Sequence, residues 1–290
     1  MKIGYPCINR GIGCTTNSTF RLANYSKERL IKAVTNNIDC LQKILVYNVK
    51  HDLLFFRISS DIIPFASHPI CKFKWEQYFE KDFANVGEFI KKNKFRISMH
   101  PDQFILINAK DKKIVTRSVK ELAYHCTVLD LMGLDNTAKV QIHIGGVYGD
   151  KEASIERFIK EYKKLPEIIK KRLAIENDHN RYSFQDCLRV YQKTKIPIIF
   201  DSFHHECLNN GETMRDALLL ASKTWKKTDG VLMVDYSSQE KNKVTGAHAQ
   251  TIDICHFKKF LQNITGIECD IMLEIKDKEK SAHKARQILK

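Results

Sequence analysis

Short apolar runs rich in β-branched and aromatic residues alternate along the chain with longer segments in which apolar residues recur every three to four positions. The short runs predict β-strands, and the longer segments predict amphipathic helices. The predicted strands are residues 2–5, 53–59, 96–100, 139–144, 173–176, 198–200, 231–234 and 271–275. Alternation of this kind predicts parallel strands joined by helical crossovers.

The helices predicted between the strands are residues 26–45, 75–92, 118–134, 151–171, 183–194, 212–222 and 252–263. Ser26 is the expected N-cap of the first helix because its hydroxyl can accept a hydrogen bond from a free backbone N–H group. Pro166 is expected to kink the fourth helix or to divide it, since proline has no N–H to donate.

Eight strands with helical crossovers predict a single (β/α)8 TIM barrel spanning residues 1–290, in the α/β class. A doubly wound open sheet is the alternative, but polar residues follow nearly every predicted strand, whereas an open sheet gathers its site at one switch point. Residues 276–290 form a basic C-terminal segment, interpreted either as a solvated last helix or as an additional contact with nucleic acid.

Histidines and acidic residues stand where the predicted strands end, so a barrel would bring them together on the C-terminal face of its strands. The candidate metal ligands are His68, His100, His143, Glu176, Asp201, His204, Asp235, His248 and Glu274. Among these, Glu176, His143 and His100 are the predicted catalytic residues, and His68 is either a ligand or a residue that orients one. Such a dense cluster of buried imidazoles and carboxylates predicts bound cations, without which the groups would be unpaired.

A ligand set of histidine and carboxylate without cysteine predicts two or three divalent ions of Mn²⁺, Zn²⁺ or Fe²⁺. Imidazole is a poor partner for Mg²⁺, which is therefore less suited to the site. Neighbouring ions can activate water and stabilise the attacking and leaving oxygens of a phosphate displacement. The donor set therefore predicts hydrolysis of a phosphodiester.

The chain carries 48 Lys and Arg against 34 Asp and Glu, a formal net charge of +14. A lysine-rich solvated surface accounts for part of this excess, and a polyanionic partner such as nucleic acid accounts for the rest. The expected partner is therefore a nucleic acid, and the protein is expected to be a monomer.

Nine cysteines without a Cys-x-x-Cys pair are expected to be reduced and mostly buried, as in cytosolic proteins. A membrane span is not expected because no run of about 18 apolar residues occurs, and no apolar signal segment is expected at the N-terminus. The predicted location is the cytoplasm, beside the nucleoid through DNA binding.

Eight short segments contain the predicted ligands and their neighbours: residues 4–9 (GYPCIN), 65–69 (FASHP), 98–104 (SMHPDQF), 143–149 (HIGGVYG), 175–178 (IEND), 201–205 (DSFHH), 246–249 (GAHA) and 274–279 (EIKDKE). In their order and spacing, these segments resemble the UvdE family of UV damage endonucleases, which is related to endonuclease IV. The resemblance implies a TIM barrel with a trinuclear centre, often of manganese. It also implies cleavage immediately 5′ of cyclobutane dimers, 6-4 photoproducts and often abasic sites, leaving a 3′-hydroxyl and a 5′-phosphate.

The resemblance also implies residues that contact the lesion. Gln103 and Phe104 match a pair that fills the gap left by the bases opposite the damage, and Tyr5 and Asn9 match residues near the flipped lesion. Without the resemblance, Phe104 would be assigned to the core as the start of an apolar run.

The sequence departs from the family pattern at four positions. Phe104 lacks the hydroxyl of the tyrosine found in some members, and Asp102 replaces a glycine. Met233 stands where some members carry a modified lysine, so that modification is expected to be absent. Asp235 replaces a histidine, which changes the charge of the site and could change its metal preference.

Two other classes of function remain open. A sugar isomerase or epimerase of the xylose isomerase-like type also gathers His, Asp and Glu at strand ends, but a charge of +14 would serve no purpose on a small substrate. A non-catalytic nucleic-acid-binding protein would need basic and aromatic residues rather than a cluster of acids and imidazoles.

Overall fold

Eight parallel strands close into a barrel in chain order in the computed structural model, which describes residues 1–102 and 104–289. Each strand pairs with its neighbours in sequence, and the last pairs with the first through Ile3 and Ile271. The strands are β1 (Ile3–Pro6), β2 (Phe55–Ile58), β3 (Arg96–Met99), β4 (Lys139–His143), β5 (Leu173–Glu176), β6 (Ile198–Asp201), β7 (Leu232–Tyr236) and β8 (Cys269–Leu273). The predicted (β/α)8 barrel is confirmed, and every predicted strand overlaps an observed one.

Helices surround the barrel. They are α1 (Lys27–Lys50), α2 (Trp75–Tyr78), α3 (Glu80–Lys92), α4 (Lys112–Leu131), α5 (Lys151–Lys164), α6 (Glu167–Lys170), α7 (Phe184–Thr194), α8 (Ser202–Cys207), α9 (Met214–Ser222), α10 (Ile254–Asn263) and α11 (Glu279–Ile288). Helix α8 was not predicted because six residues are too few for a period of 3.6 to show. Helix α11 lies in the basic C-terminal segment and agrees with its interpretation as a last helix.

Local chemistry sets several helix boundaries where the sequence predicts them. The Ser26 hydroxyl accepts a hydrogen bond from the N–H of Arg29 at the start of α1. Pro166 divides the predicted fourth helix, since α5 ends at Lys164 and α6 begins at Glu167 directly after the proline. This division follows from the missing N–H of proline and its fixed φ angle.

Alternation of side chains along the strands builds two layers inside the barrel. The lower layer is a separate apolar cluster against which Trp225 packs, and it consists of Phe55, Ala174, Ile199, Met233 and Met272. Two positions further along the same strands stand Arg57, Glu176, Asp201, Asp235 and Glu274. Because side chains two residues apart point to the same face of a strand, the polar groups lie directly above the apolar layer. Met233 belongs to the apolar layer, in keeping with the expected absence of a modified lysine there.

The barrel requires glycine at one position of β1. A Cβ atom on Gly4 would lie 1.4 Å from the carbonyl oxygen of Phe55 in β2. No other residue type leaves room for that close approach of two backbones.

One cysteine pair contradicts the expectation of reduced thiols. Cys14 and Cys40 form a disulfide with their Cα atoms 5.8 Å apart, and it joins the irregular N-terminal segment to α1. The 26 residues that separate them in sequence give no spacing signal, so only the fold reveals the pair. The other seven cysteines are free, and three of them are buried: Cys126, Cys187 and Cys269.

A buried arginine fixes the segment between α4 and β4. Arg172 is 1% exposed, and its Nε donates to Asp130 Oδ1 at 2.9 Å. The same guanidinium donates to the carbonyl oxygens of Leu134, Asp135 and Ala138. The guanidinium therefore links the end of α4 to the three backbone carbonyls of the segment that leads into β4.

Candidate metal centre

Five of the predicted ligands converge above the apolar layer of the barrel in two overlapping groups. His100, His143 and Glu176 form the first group, and Glu176, Asp201 and His204 form the second. Within each group, one candidate ligand atom per residue lies within 4.8 Å of the others. The residues come from the C-terminal ends of β3, β4, β5 and β6, which are neighbours around the barrel.

Glu176 belongs to both groups and presents a different carboxylate oxygen to each. Its Oε2 lies 3.3 Å from His100 Nε2 and 3.8 Å from His143 Nε2. Its Oε1 lies 3.3 Å from His204 Nδ1. A carboxylate placed in this way can bridge two adjacent cations.

The second group is assembled by the cap of a short helix. Asp201 is the N-cap of α8, and its Oδ1 accepts a hydrogen bond from the N–H of His204 at 2.7 Å. The amide of Asn177 bonds both the N–H and the carbonyl of Asp201, which ties the end of β6 to the end of β5. The spacing Asp-x-x-His therefore brings both side chains to one point through a turn of helix.

Burial and opposite charge strongly perturb the pKa values of this cluster. Burial opposes charge on His204, but the carboxylates of Asp201 and Glu176 raise its pKa to about 11. Burial also opposes ionisation of Glu176, but the neighbouring imidazoles of His143, His100 and His204 hold its pKa well below the usual range. Burial raises the pKa of Asp201 well above its usual range. Burial thus favours the neutral form of both carboxyl groups, and nearby positive charge is what keeps a carboxylate of this cluster ionised.

Two buried atoms in the cluster lack hydrogen-bond partners among the described residues. They are Asp201 Oδ2 and His143 Nδ1. An orphaned carboxylate oxygen beside a glutamate and a histidine is costly in a protein interior unless a cation binds it. The set of histidine and carboxylate donors and these two atoms without hydrogen bonds fit a divalent metal, as the sequence predicts.

Two further predicted ligands lie beside the groups and contact a residue that the sequence reasoning missed. Arg57 in β2 is 3% exposed, and its Nη2 lies 2.8 Å from both carboxylate oxygens of Asp235. Its Nη1 pairs with Glu274. Burial raises the pKa of Asp235 to about 7, although the charge of Arg57 acts in the opposite direction. Burial also favours a higher pKa for Glu274, but there the charge of Arg57 outweighs it and lowers the pKa to about 2. The position of Arg57 two residues after the apolar Phe55 is the signal that would have revealed it.

His248 lies at the edge of the centre. Its ring centroid is 5.8 Å from that of His204, and its Nδ1 lies 2.8 Å from the carbonyl oxygen of Glu274. The contact with this carbonyl leaves Nε2 as the ring nitrogen available to a cation.

His68 is not brought to the centre. The side chain is exposed, and its Nδ1 accepts a hydrogen bond from the N–H of Ile70 at 3.1 Å. It belongs to neither group of candidate ligands among the residues that the structure describes.

Two of the predicted lesion contacts are buried. The hydroxyl of Tyr5 donates to Asn48 at 2.6 Å, and Asn9 donates to the same hydroxyl at 2.8 Å. Tyr5 is fully buried against Phe56 on the helix-facing side of the barrel wall. Neither side chain is on the surface, so contact with a lesion would require this part of the protein to rearrange.

The pair Gln103 and Phe104, predicted to fill the gap opposite the lesion as a wedge, has one member in the described part of the chain. Phe104 is 73% exposed, which excludes its assignment to the core, and Gln103 lies outside the described residues. Phe104 borders an apolar cavity of about 430 Å³ beside α4. Asp102 lines two cavities that both reach His100, so its charge faces the entrance to the site.

Two residues at this entrance were missed by the sequence reasoning. The ring of His179 lies 5.5 Å from that of His204 and lines the cavity that contains His100 and His143. Lys278 lines the cavity that contains Glu274 and His248, and its backbone has a φ of 54°. Non-glycine residues held at positive φ are concentrated at functional sites. His179 directly follows the segment 175–178 and Lys278 lies within the segment 274–279, and both segments carry predicted ligands, which was the available signal.

Across the described residues, none of the helices combines the length and apolar character needed to cross a membrane.

The family model of the UV-endonuclease UvdE matches residues 1–288 of the chain. The UV DNA damage endonuclease of Clostridium perfringens is 42% identical over an alignment that covers 100% of this chain and 71% of that protein. The enzyme of the same name from Bacillus thuringiensis is 35% identical, with 96% and 91% covered.

Solved structures give the same picture at the level of the fold. The crystal structure of SacUVDE matches with a TM-score of 0.96 and 45% identity, covering 100% of this chain and 98% of that one. The 3-keto-D-glucoside 4-epimerase YcjR of E. coli matches with a TM-score of 0.57 but only 11% identity, with 100% and 98% covered. The likeness to the epimerase extends to the barrel alone.

Proposed function

This chain belongs to the UV-endonuclease UvdE family and is a UV damage endonuclease, and we propose that it cuts the DNA backbone 5′ of the lesion with the help of divalent cations. The proposed substrates are UV photoproducts and abasic sites in double-stranded DNA. The proposed ligands are His100, His143, Glu176, Asp201 and His204, with His248 at the edge. A monomeric state and a place beside the nucleoid stay predictions.

The observation that carries this proposal is the pair of ligand groups that share Glu176. When bound there, the cations would supply a nucleophilic hydroxide and would neutralise the charge that develops on the phosphate. His100 and His143 present Nε2 to one oxygen of Glu176, and on the other side Asp201 presents Oδ2, which accepts no hydrogen bond from the described residues and lies 3.3 Å from His204 Nδ1. The apolar layer below excludes water from the floor, so the groups act in a medium where charge interactions are strong.

The charge of the chain supports a polyanionic substrate. The net charge is +14 although four carboxylates lie inside the barrel. The exterior is therefore more basic than the total, which favours binding to the phosphates of DNA. The competing candidate is a sugar substrate, and the barrel fold shared with the epimerase is all that supports it.

We expect removal of metal to abolish nicking. Dialysis against EDTA should leave the purified protein unable to convert UV-irradiated supercoiled plasmid to the open-circular form, because the carboxylates then lose the cations that offset their charge. Addition of Mn²⁺ should restore the reaction, and parallel additions of Zn²⁺, Fe²⁺ and Mg²⁺ identify the preferred ion. Undamaged plasmid is the control, and nicking of irradiated plasmid that persists in EDTA would disprove metal dependence.

We expect Phe104→Ala to reduce selectivity for damaged DNA. Stacking of a base on an aromatic ring is worth about 1–3 kcal/mol, so the preference for irradiated over undamaged duplex should fall by roughly 5- to 150-fold. Phe104→Tyr keeps the ring and should retain the preference. Leu219→Ala removes another exposed apolar side chain, on α9, and serves as the control. Equal selectivity in Phe104→Ala and wild type would exclude the wedge.

A further inference from the structure

Arg57 lies in the polar layer inside the barrel, beside the carboxylates of the centre and directly above the apolar layer. Its guanidinium is 3% exposed and contacts side chains from four other strands or strand ends. Nη2 binds Asp235 and Gln141 at 2.8 Å, Nη1 pairs with Glu274, and Nε lies 3.4 Å from Ser98 Oγ. All three guanidinium nitrogens therefore contact polar side chains inside the barrel.

These contacts engage both oxygens of Asp235. Both oxygens of Asp235 lie 2.8 Å from Arg57 Nη2, and Oδ2 also accepts a hydrogen bond from Gln141 Nε2 at 2.7 Å. By contrast, Oδ2 of Asp201 has no hydrogen-bond partner among the described residues. The two aspartates stand side by side in paired strands, and Asp201 Oδ2, 3.3 Å from His204 Nδ1, is the one oxygen of the two carboxylates that accepts no hydrogen bond from the described residues.

Glu274 is partly committed in the same way. Its Oε1 is taken by Arg57, and its Oε2 lies 3.9 Å from His248 Nδ1, which itself faces the carbonyl of Glu274. A third ion at Asp235, Glu274 and His248 would have to displace the guanidinium or approach it closely. Two cations in contact inside a buried site repel strongly.

From this arrangement we infer that Arg57 supplies one of the positive charges of the centre, which therefore holds two divalent ions, with Asp235 as the partner of Arg57 and outside the ligand set. The inference rests on the metal dependence proposed above and goes beyond it by fixing the number of ions. It differs from the trinuclear centre that the family resemblance implies, and the difference follows from the chemistry of Asp235 and Arg57.

Gln141 gives Arg57 a second role as a positioning residue. The side-chain oxygen of Gln141 accepts from Arg57, which fixes the amide so that its nitrogen donates to Glu176 Oε2 at 2.6 Å. Arg57 thereby orients the glutamate shared by the two ligand groups. Hydrogen-bonded partners behind the ligands commonly set metal affinity in this way.

The test counts ions in purified protein that has been stripped with chelator, loaded with excess Mn²⁺ and passed through a desalting column. Wild-type protein should retain two ions per chain by inductively coupled plasma mass spectrometry. Asp235→Asn should also retain two, because the asparagine oxygen still accepts from Arg57 and no ligand is lost. Asp201→Asn, the matched change in the neighbouring strand, should lose at least one.

Arg57→Met tests the cation itself. Removal of the guanidinium frees Asp235 and Glu274, so the count should rise to three in folded protein, as checked by circular dichroism. If this variant does not fold, the Asp235→Asn count decides. Three ions in wild type, or loss of one ion in Asp235→Asn, would overturn the inference and leave metal dependence intact. No retained ion together with EDTA-resistant nicking would overturn the proposed metal dependence itself.

Discussion

Substitution of Glu176 by Gln should lower the rate of nicking on UV-irradiated plasmid by on the order of 1,000-fold or more. Glutamine keeps the size of the side chain but removes the negative charge and one of the two oxygens that can bind a cation. Because Glu176 lies in both ligand groups, the same change should also empty both positions in the ion count. The measurement is the initial nicking rate with Mn²⁺, beside the ion count of the same preparation.

The matched control is Glu206→Gln. Glu206 lies on α8 close to the centre in sequence, but its carboxylate pairs with His256 at the surface, 3.1 Å from Nε2. A partly exposed pair of this kind contributes little, so rate and ion count should stay near the wild-type values. A nicking rate within tenfold of wild type in Glu176→Gln would remove this glutamate from the reaction.

The largest effect on stability is expected for Arg172→Met. The substitution leaves Asp130 and three carbonyl oxygens without their shared donor. Breaking a buried ion pair costs about 3–5 kcal/mol, and the lower end applies here because the side chain of Asp130 is 30% exposed. We expect the midpoint of thermal unfolding, followed by circular dichroism, to fall by roughly 6 to 10 °C.

Arg189→Met provides the comparison for Arg172. Arg189 also pairs with a carboxylate through two nitrogens, with Nη1 at 2.7 Å from Glu152 Oε1, but its side chain is 44% exposed. Water replaces the lost contacts at the surface, so the midpoint should hardly move. Similar midpoints for the two variants would show that burial adds nothing to the interaction of Arg172.

The barrel could be predicted from the sequence because its signals are local and repeated. Each strand is a short, largely apolar run, and the six strands from β3 to β8 carry an acid or a histidine at or just past their C-terminal ends, so the fold and the five converging ligands were both within reach. Asp201 and His204 are three residues apart, and helical geometry makes their meeting nearly automatic. The same reasoning placed Glu176 correctly because β5 ends at that residue.

What could not be predicted depends on contacts between distant parts of the chain. Asp235 was assigned as a ligand from its position at a strand end, but Arg57 reaches it across 178 residues of sequence. His68 lies on a loop, where no strand register constrains its direction. Tyr5 faces the helices. Side chains alternate between the two faces of β1, but all four residues of this short strand are buried, so the sequence does not show which of them point inward.

The position of Trp225 has a consequence for optical measurements on this protein. Its indole packs under the apolar layer, and the guanidinium of Arg96 lies over the ring. The indole N–H donates to the carbonyl oxygen of Ile198, which is at the opposite end of β6 from Asp201. The chain has only one other tryptophan, Trp75. In a Trp75→Phe background, indole emission would report whether the base of the barrel is intact, free from direct quenching by manganese or stacking with nucleobases.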